Sequence, residues 1–97
     1  MIIKEMFEVG EILESEEKAT SIKTLDKDDC LITGKMLNRK KIILHMKRVS
    51  DGSEGNVFVA LKPEFQDQYA VSRKLLGSKG IIGMSLNQFI NLSVDEL

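Results

Sequence analysis

Two runs of alternating apolar residues, separated by a short polar loop, constrain the fold of this chain more than any other feature. They occupy residues 41–49 and 56–62, and the loop between them, residues 50–55, contains two glycines. Alternation of period two is typical of β-strands with one buried face. Val57, Val59 and Leu61 are expected to face a core, and the first run alternates in the same way. Because so short a loop costs little entropy to close, we predict an antiparallel hairpin within one chain.

The N-terminal part of the chain has apolar residues at helical spacing. Residues 3–15 place them on one side with glutamates outward, which predicts a helix interrupted by Gly10. Residues 21–38 predict two short helices that are broken around residues 26–29, and Gly34 argues against a single long one. The hairpin is therefore expected to follow a helical region.

The C-terminal part predicts a helix pair. Pro63 is placed to open a first helix over residues 64–76, which the segment 77–80 ends. Ser85 is expected to cap a second helix by accepting a hydrogen bond from the N–H of a residue in its first turn. Apolar residues then recur at i, i+3 and i+4 spacing along this last segment.

These elements define a small α+β fold in one domain of residues 1–97. Residues 1–62 form a helical region plus β-hairpin, and residues 63–97 form the C-terminal helix pair. The order of helices followed by a hairpin is winged-helix-like. Ninety-seven residues can bury one core, and a partner chain would add to its stability.

Residues 83–97 resemble the second helix of the ribbon-helix-helix DNA-binding proteins, the Arc- and MetJ-like family. The resemblance lies in the Gly-x-Ser-Leu-Asn start of this segment and in the strand of residues 57–61 that ends near Pro63. It implies an alternative fold, a ribbon-helix-helix dimer with an N-terminal extension. In that fold the strand pairs with its copy in a second chain and its outward residues read DNA.

The N-terminal part is similar to small winged-helix proteins of bacterial mobile elements, some of which bind single-stranded DNA. The matching residues are 7–13, 25–29 and 34–37. The two resemblances compete for one strand, because a winged helix pairs residues 57–61 with residues 41–49 of the same chain. The short connector favours this intrachain pairing.

The charge distribution suggests a phosphate-contacting surface. Net charge is −1, but residues 30–50 carry six basic residues and no acidic one, whereas residues 1–29 carry nine acidic and four basic residues. A basic block in a slightly acidic chain is what a localised DNA contact would require. Phe58 and His45 could add stacking surfaces for unpaired bases. The predicted nucleic-acid-binding residues are Lys35, Arg39, Lys40, Lys41, His45, Lys47, Arg48, Phe58 and Lys62.

The sequence offers no arrangement suited to catalysis, a metal or another cofactor. His45 and Cys30 are the only histidine and cysteine, and they lie on different predicted elements. A zinc site needs about four such ligands, so we expect neither metal nor enzymatic activity. The lone cysteine predicts a cytoplasmic protein, and no apolar run approaches the length of a membrane span.

The apolar residues of the last segment predict a two-fold homodimer, because a helix stripe at the end of so short a chain needs cover. The predicted interface residues are Leu86, Phe89, Ile90, Val94 and Leu97.

The functional expectation is a non-enzymatic DNA-binding protein, a transcriptional repressor or replication accessory of a bacterium or mobile element. Nothing in the sequence resolves its preference for single- or double-stranded DNA. The alternative is a small protein-interaction module such as an antitoxin, an immunity protein or a phage inhibitor. Near-neutral net charge, an acidic N-terminal segment and five methionines would suit a protein partner.

Overall fold

The structure, a computed structural model, describes residues 1–11, 28–39 and 41–97. None of the helices in these ranges is long and apolar enough to cross a membrane. The strands are β1 (Phe7–Glu11), β2 (Cys30–Asn38), β3 (Lys41–Arg48) and β4 (Glu54–Leu61). The helices are α1 (Ile3–Met6), α2 (Tyr69–Gly77) and α3 (Leu86–Ile90), with single 3-10 turns at Pro63–Phe65, Lys79–Ile81 and Val94–Glu96.

The four strands form one antiparallel sheet in the order β1-β4-β3-β2. The predicted hairpin is confirmed, because β3 pairs with β4 inside the chain, with Ile42 opposite Val59 and Leu44 opposite Val57. The predicted inward positions of β4 are confirmed as well, since Val57, Val59 and Leu61 are buried. The small α+β fold expected from the sequence is therefore present.

Strand β4 has a neighbour on both sides, since β1 occupies the edge that β3 leaves free. Phe7 lies opposite Leu61 and Val9 opposite Val59. In the ribbon-helix-helix alternative this strand pairs with its copy in a second chain. That arrangement would require one of the two intrachain ladders to open.

Two helix predictions in the N-terminal part are wrong within the described ranges. Helix α1 ends at Met6, and the chain continues as strand β1 instead of a helix over residues 3–15. Residues 30–38, expected at the end of a helical region, form strand β2. Pairing explains both outcomes, because β1 and β2 complete a sheet whose hairpin offers two open edges, and tertiary pairing overrides local preference. Residues 12–15 and 21–27 of these predictions lie outside the described residues.

The helices pack on one face of the sheet and form the core with it. Phe89, Leu86, Leu75 and Ile3 lie at or below 2 % exposure in the same apolar cluster as the inward residues of the strands. In β3 these inward residues are the even-numbered Ile42, Leu44 and Met46. The fold thus has two layers, with the described helices all on the same side.

Of the two predicted C-terminal helices, the first is divided and the second has the predicted cap. Residues 64–76 are not one helix, because Gln68, at φ −101° and ψ 45°, separates the turn at Pro63–Phe65 from α2. The cap of α3 is confirmed: Ser85 Oγ accepts from the Gln88 N–H at 3.1 Å, and Gln88 Oε1 accepts from the Ser85 N–H at 2.9 Å. This reciprocal pair satisfies two N–H groups that the helix start would leave open.

The assumption that the last apolar residues lack cover is wrong. Leu86 and Phe89 are buried inside the chain at 2 % and 0 % exposure, and Ile90, Val94 and Leu97 are partly buried against the same core. Their spacing reflects packing onto the sheet. The homodimer itself stays a prediction, but these five residues no longer require one.

Candidate nucleic-acid interface

The sheet has a second face, directed away from the described helices, which we call the open face. Its residues follow from the strand register, because side chains alternate between the two faces. Ile43 lies opposite Phe58, His45 opposite Asn56, and Lys41 opposite Ala60. Strand β2 adds Met36 beside Ile43. Neither Ile43 nor Phe58 belongs to the main core cluster.

An apolar row crosses the open face from one edge of the sheet to the other. Strand register places Gly10, Phe58, Ile43 and Met36 side by side, over a width of about 14 Å at the usual strand spacing. Met36 is 52 % exposed and Phe58 is half-buried, whereas Ile43 is 2 % exposed. A methyl group added at Gly10 would meet no described heavy atom within 4 Å. Gly10, the neighbour of Phe58 in β1, therefore places no side chain beside the ring.

Charged residues flank this row, and the two signs nearly balance. Lys41 and Lys47 are exposed on the open face about 20 Å apart along β3, with Ile43 and His45 between them. Glu54 lies opposite Lys47, and Glu8 lies in the row of Lys41 with Ala60 between them. Lys62 follows β4 in extended conformation, so the alternation carries it toward the same side. A surface of this kind can offer an apolar platform with a few cations at its rim.

Lys35 does not lie on the open face. It is opposite Leu44, an inward residue, and its Nζ donates a hydrogen bond to the carbonyl oxygen of Ser78 at the end of α2. Partial burial lowers the pKa of the Lys35 amine. Its position indicates a structural link between β2 and α2, so Lys35 does not share a sheet face with Lys41 and Lys47.

The remaining basic residues of the predicted interface are dispersed. Arg48 forms a salt bridge to Asp51 with 3.0 Å between Nη1 and Oδ2, at the far end of the β3–β4 hairpin. Arg39 is exposed after β2 with a positive φ of 55°, a conformation uncommon for a residue with a side chain. Lys40 lies outside the described residues. The members of the basic block that the structure describes therefore do not form one continuous phosphate-binding surface.

The turn at Asp51 makes stability depend on pH in acid. Hydrogen bonds from Ser53, including its N–H at 2.9 Å, and then from Arg48 lower the pKa of Asp51 from 3.8 to about 2. In the folded chain these hydrogen bonds favour the ionised form of Asp51 over the protonated form. Its contribution should be complete above pH 3.8 and should be lost as the pH falls toward 2.

We expect an Asp51→Asn variant to lose less stability than the original chain over this interval. Urea unfolding at pH values on both sides of it measures the difference. Equal pH dependence in the two proteins would show that this turn does not carry the effect.

Two residues of the open face were missed from the sequence. The sequence pattern predicts a helix at Met36, and it shows Ile43 only as a member of an alternating run. Gly34, Met36 and Asn38 lie at every second position, which would indicate a shared sheet face. That pattern has this meaning only if residues 30–38 form a strand. A β-bulge between Ile32 and Gly34 interrupts that alternation.

Comparisons with known proteins do not identify a relative. No family model, no curated protein and no solved structure matches this chain. Within the described ranges, no group of three or more His, Cys, Asp or Glu side chains is arranged to hold a metal ion. The open face is therefore interpreted from its own residues.

Proposed function

We propose that this chain is a non-enzymatic DNA-binding protein that takes single-stranded DNA on its open face, as a replication accessory would. One observation carries the proposal: Phe58, His45, Lys41 and Lys47 share the sheet face that the described helices leave free. Flat sheet faces with aromatic and cationic side chains suit unpaired bases, because every base has a face that can stack. The β3–β4 hairpin is then the DNA-contacting ribbon, the role that a winged-helix-like fold would give to its wing.

Stacking, more than charge, would supply the affinity. Lys41, Lys47 and Lys62 can neutralise at most a few phosphates, and Glu8 and Glu54 lie in the same rows. Each phosphate contact with a single strand contributes about 0.7 to the slope of log K against log salt. We therefore expect a shallow slope, on the order of 2 or less. A double helix would present its charged backbones and would meet few cations on this face.

Equilibrium binding of labelled single- and double-stranded oligonucleotides at low salt tests the proposal. Replacing Lys41 and Lys47 together by alanine should reduce the salt slope for single strands by about 1.4 and weaken binding to all sequences. A matched control replaces Lys74 and Lys79, exposed lysines on the helical side, and should leave the slope unchanged.

Two results would contradict this proposal. The first is no binding of single strands at low salt. The second is an equal loss in the Lys41/Lys47 and Lys74/Lys79 variants, which would show only a general charge effect. Tighter binding of double-stranded DNA would instead favour a transcriptional repressor.

A protein-interaction module is the second candidate, and the composition of the open face favours it. Met36 is exposed and Phe58 is half-buried on either side of the buried Ile43, with nearly balanced charges around them, which is also how a protein-binding surface is built. Affinity capture with and without nuclease discriminates the two candidates. A stoichiometric protein partner that survives nuclease and is lost on Met36→Glu would support this second function.

A further inference from the structure

The outer edge of strand β2 leaves backbone hydrogen-bonding groups without a described partner. The orientation of these groups follows from the β3–β4 hairpin, where the Arg48 N–H donates to the Ser53 carbonyl at 2.8 Å. Since backbone groups alternate in direction along an antiparallel strand, even-numbered residues of β3 face β4 and odd-numbered ones face β2. Ile43 and His45 therefore bond to Met36 and Gly34, their partners in β2. The intervening Lys35 and the following Leu37 direct their N–H and C=O groups outward.

The start of this edge is already occupied. The Ile32 N–H donates to the Met84 carbonyl at 2.9 Å, and the Ile32 carbonyl accepts from the Gly83 N–H at 2.7 Å. The segment before α3 thus covers β2 at Ile32 and leaves residues 33–38 open among the described residues. The same contact shows that backbone groups of this edge can bond to an added segment.

We infer that the occupant of this edge is β2 of a second copy of the chain, paired antiparallel about a two-fold axis at Met36. In this register Lys35 lies opposite Leu37 of the other copy, and the reverse pair follows by symmetry. Both residues direct their backbone groups outward, so each pair exchanges two hydrogen bonds. The two four-stranded sheets then form one continuous sheet, and the two-fold axis closes the assembly as a dimer.

The side chains of β2 fit this pairing. Met36 is 52 % exposed on the open face and would meet its own copy at the axis, so that the apolar rows of the two sheets join. The Lys35 amine is held by Ser78 on the helical side, which keeps the two lysines from opposing each other. The other edge strand is less suited, since two-fold pairing of β1 about Glu8 would set two carboxylates opposite each other. The inference of this pairing does not rest on the proposed DNA binding.

Disulfide trapping tests the inference in the full chain. Opposite residues of a non-hydrogen-bonded pair have Cα atoms about 4.5 Å apart, within the range that a disulfide spans. Met36→Cys should therefore oxidise to a covalent dimer on the order of tenfold faster than Val49→Cys, because pairing raises the local thiol concentration. Val49 is a matched control, being 64 % exposed beyond the end of β3. Native Cys30 is buried at 1 % exposure.

Sedimentation equilibrium supplies the second measurement. The original chain should dimerise at high micromolar concentration, and Met36→Glu should shift it to monomer by placing like charges at the axis, while Val49→Glu should not. A monomeric original chain would overturn the inference. So would equal oxidation of the two cysteine variants, or a dimer that Met36→Glu leaves intact.

Discussion

Replacing Phe89 by alanine should lower the free energy of unfolding by about 3–5 kcal/mol, the largest effect that we expect from any single substitution in α3. The ring of Phe89 has no exposed surface and lies in the cluster that joins α3 to the sheet. Its removal loses the transfer free energy of the ring and leaves a cavity. Total stability of a small domain is about 5–15 kcal/mol, so the loss should be a large fraction of it. Urea titration followed by circular dichroism gives the difference.

The exposed Ile82 is the matched control for Phe89. It lies in the same C-terminal region at 46 % exposure, and its replacement by alanine should change stability by about 0.5 kcal/mol or less. One outcome for Phe89→Ala would instead support the predicted dimer interface at α3. If Phe89→Ala dissociated a dimer and left the unfolding of the monomer unchanged, α3 would be a contact between chains.

Phe58→Ala should weaken binding of single-stranded DNA by about 1–3 kcal/mol, equivalent to about 5- to 150-fold in Kd. Phe58 is the only aromatic residue in the apolar row of the open face, between Gly10 and Ile43. Because a stacked ring contributes no charge, the slope of log K against log salt should stay the same. This separates the stacking contribution from that of Lys41 and Lys47.

Two further variants make the Phe58 result specific. Phe58→Tyr keeps a ring in place and should keep most of the affinity. Tyr69, an aromatic residue of α2 at 38 % exposure, lies outside the open face, and Tyr69→Ala should bind as the original chain does. If the two alanine variants bind equally well, bases do not stack on the open face. Thermal melts must show that each variant is folded.

The parts of the fold that could be predicted from sequence are those fixed by residues close together in the chain. The β3–β4 hairpin joins neighbouring runs through a short loop, and the cap at Ser85 involves residues only three positions apart. The sequence predicts a helix in place of strand β1, because Phe7 and Val9 fit a helical stripe as well as an alternating strand. What decides between them is pairing with β4, a segment far along the chain. No local pattern contains that information.

The candidate site was predicted in part for the same reason. Alternation within two strands brings Lys41, His45, Lys47 and Phe58 to one face, and the sequence shows that alternation. It also predicts the covered face, since Val57, Val59 and Leu61 are buried in the core. Lys35 belongs to the basic block in sequence, yet its amine bonds to Ser78 on the helical side. A charge count along the chain cannot separate such a structural lysine from a surface one.

The position of β4 between β3 and β1 has a consequence for the order in which the chain acquires its structure. Pairing of β3 with β4 closes only a short loop, whereas pairing of Glu11 with Val57 must close a much longer one. Contacts between distant segments form late, since their entropic cost precedes any gain. During synthesis β1 leaves the ribosome first but has to wait until β4 has followed. Until β1 has paired with it, the β1-facing side of β4 offers an unpaired ladder, and the chain is most open to misassembly with other chains at this stage.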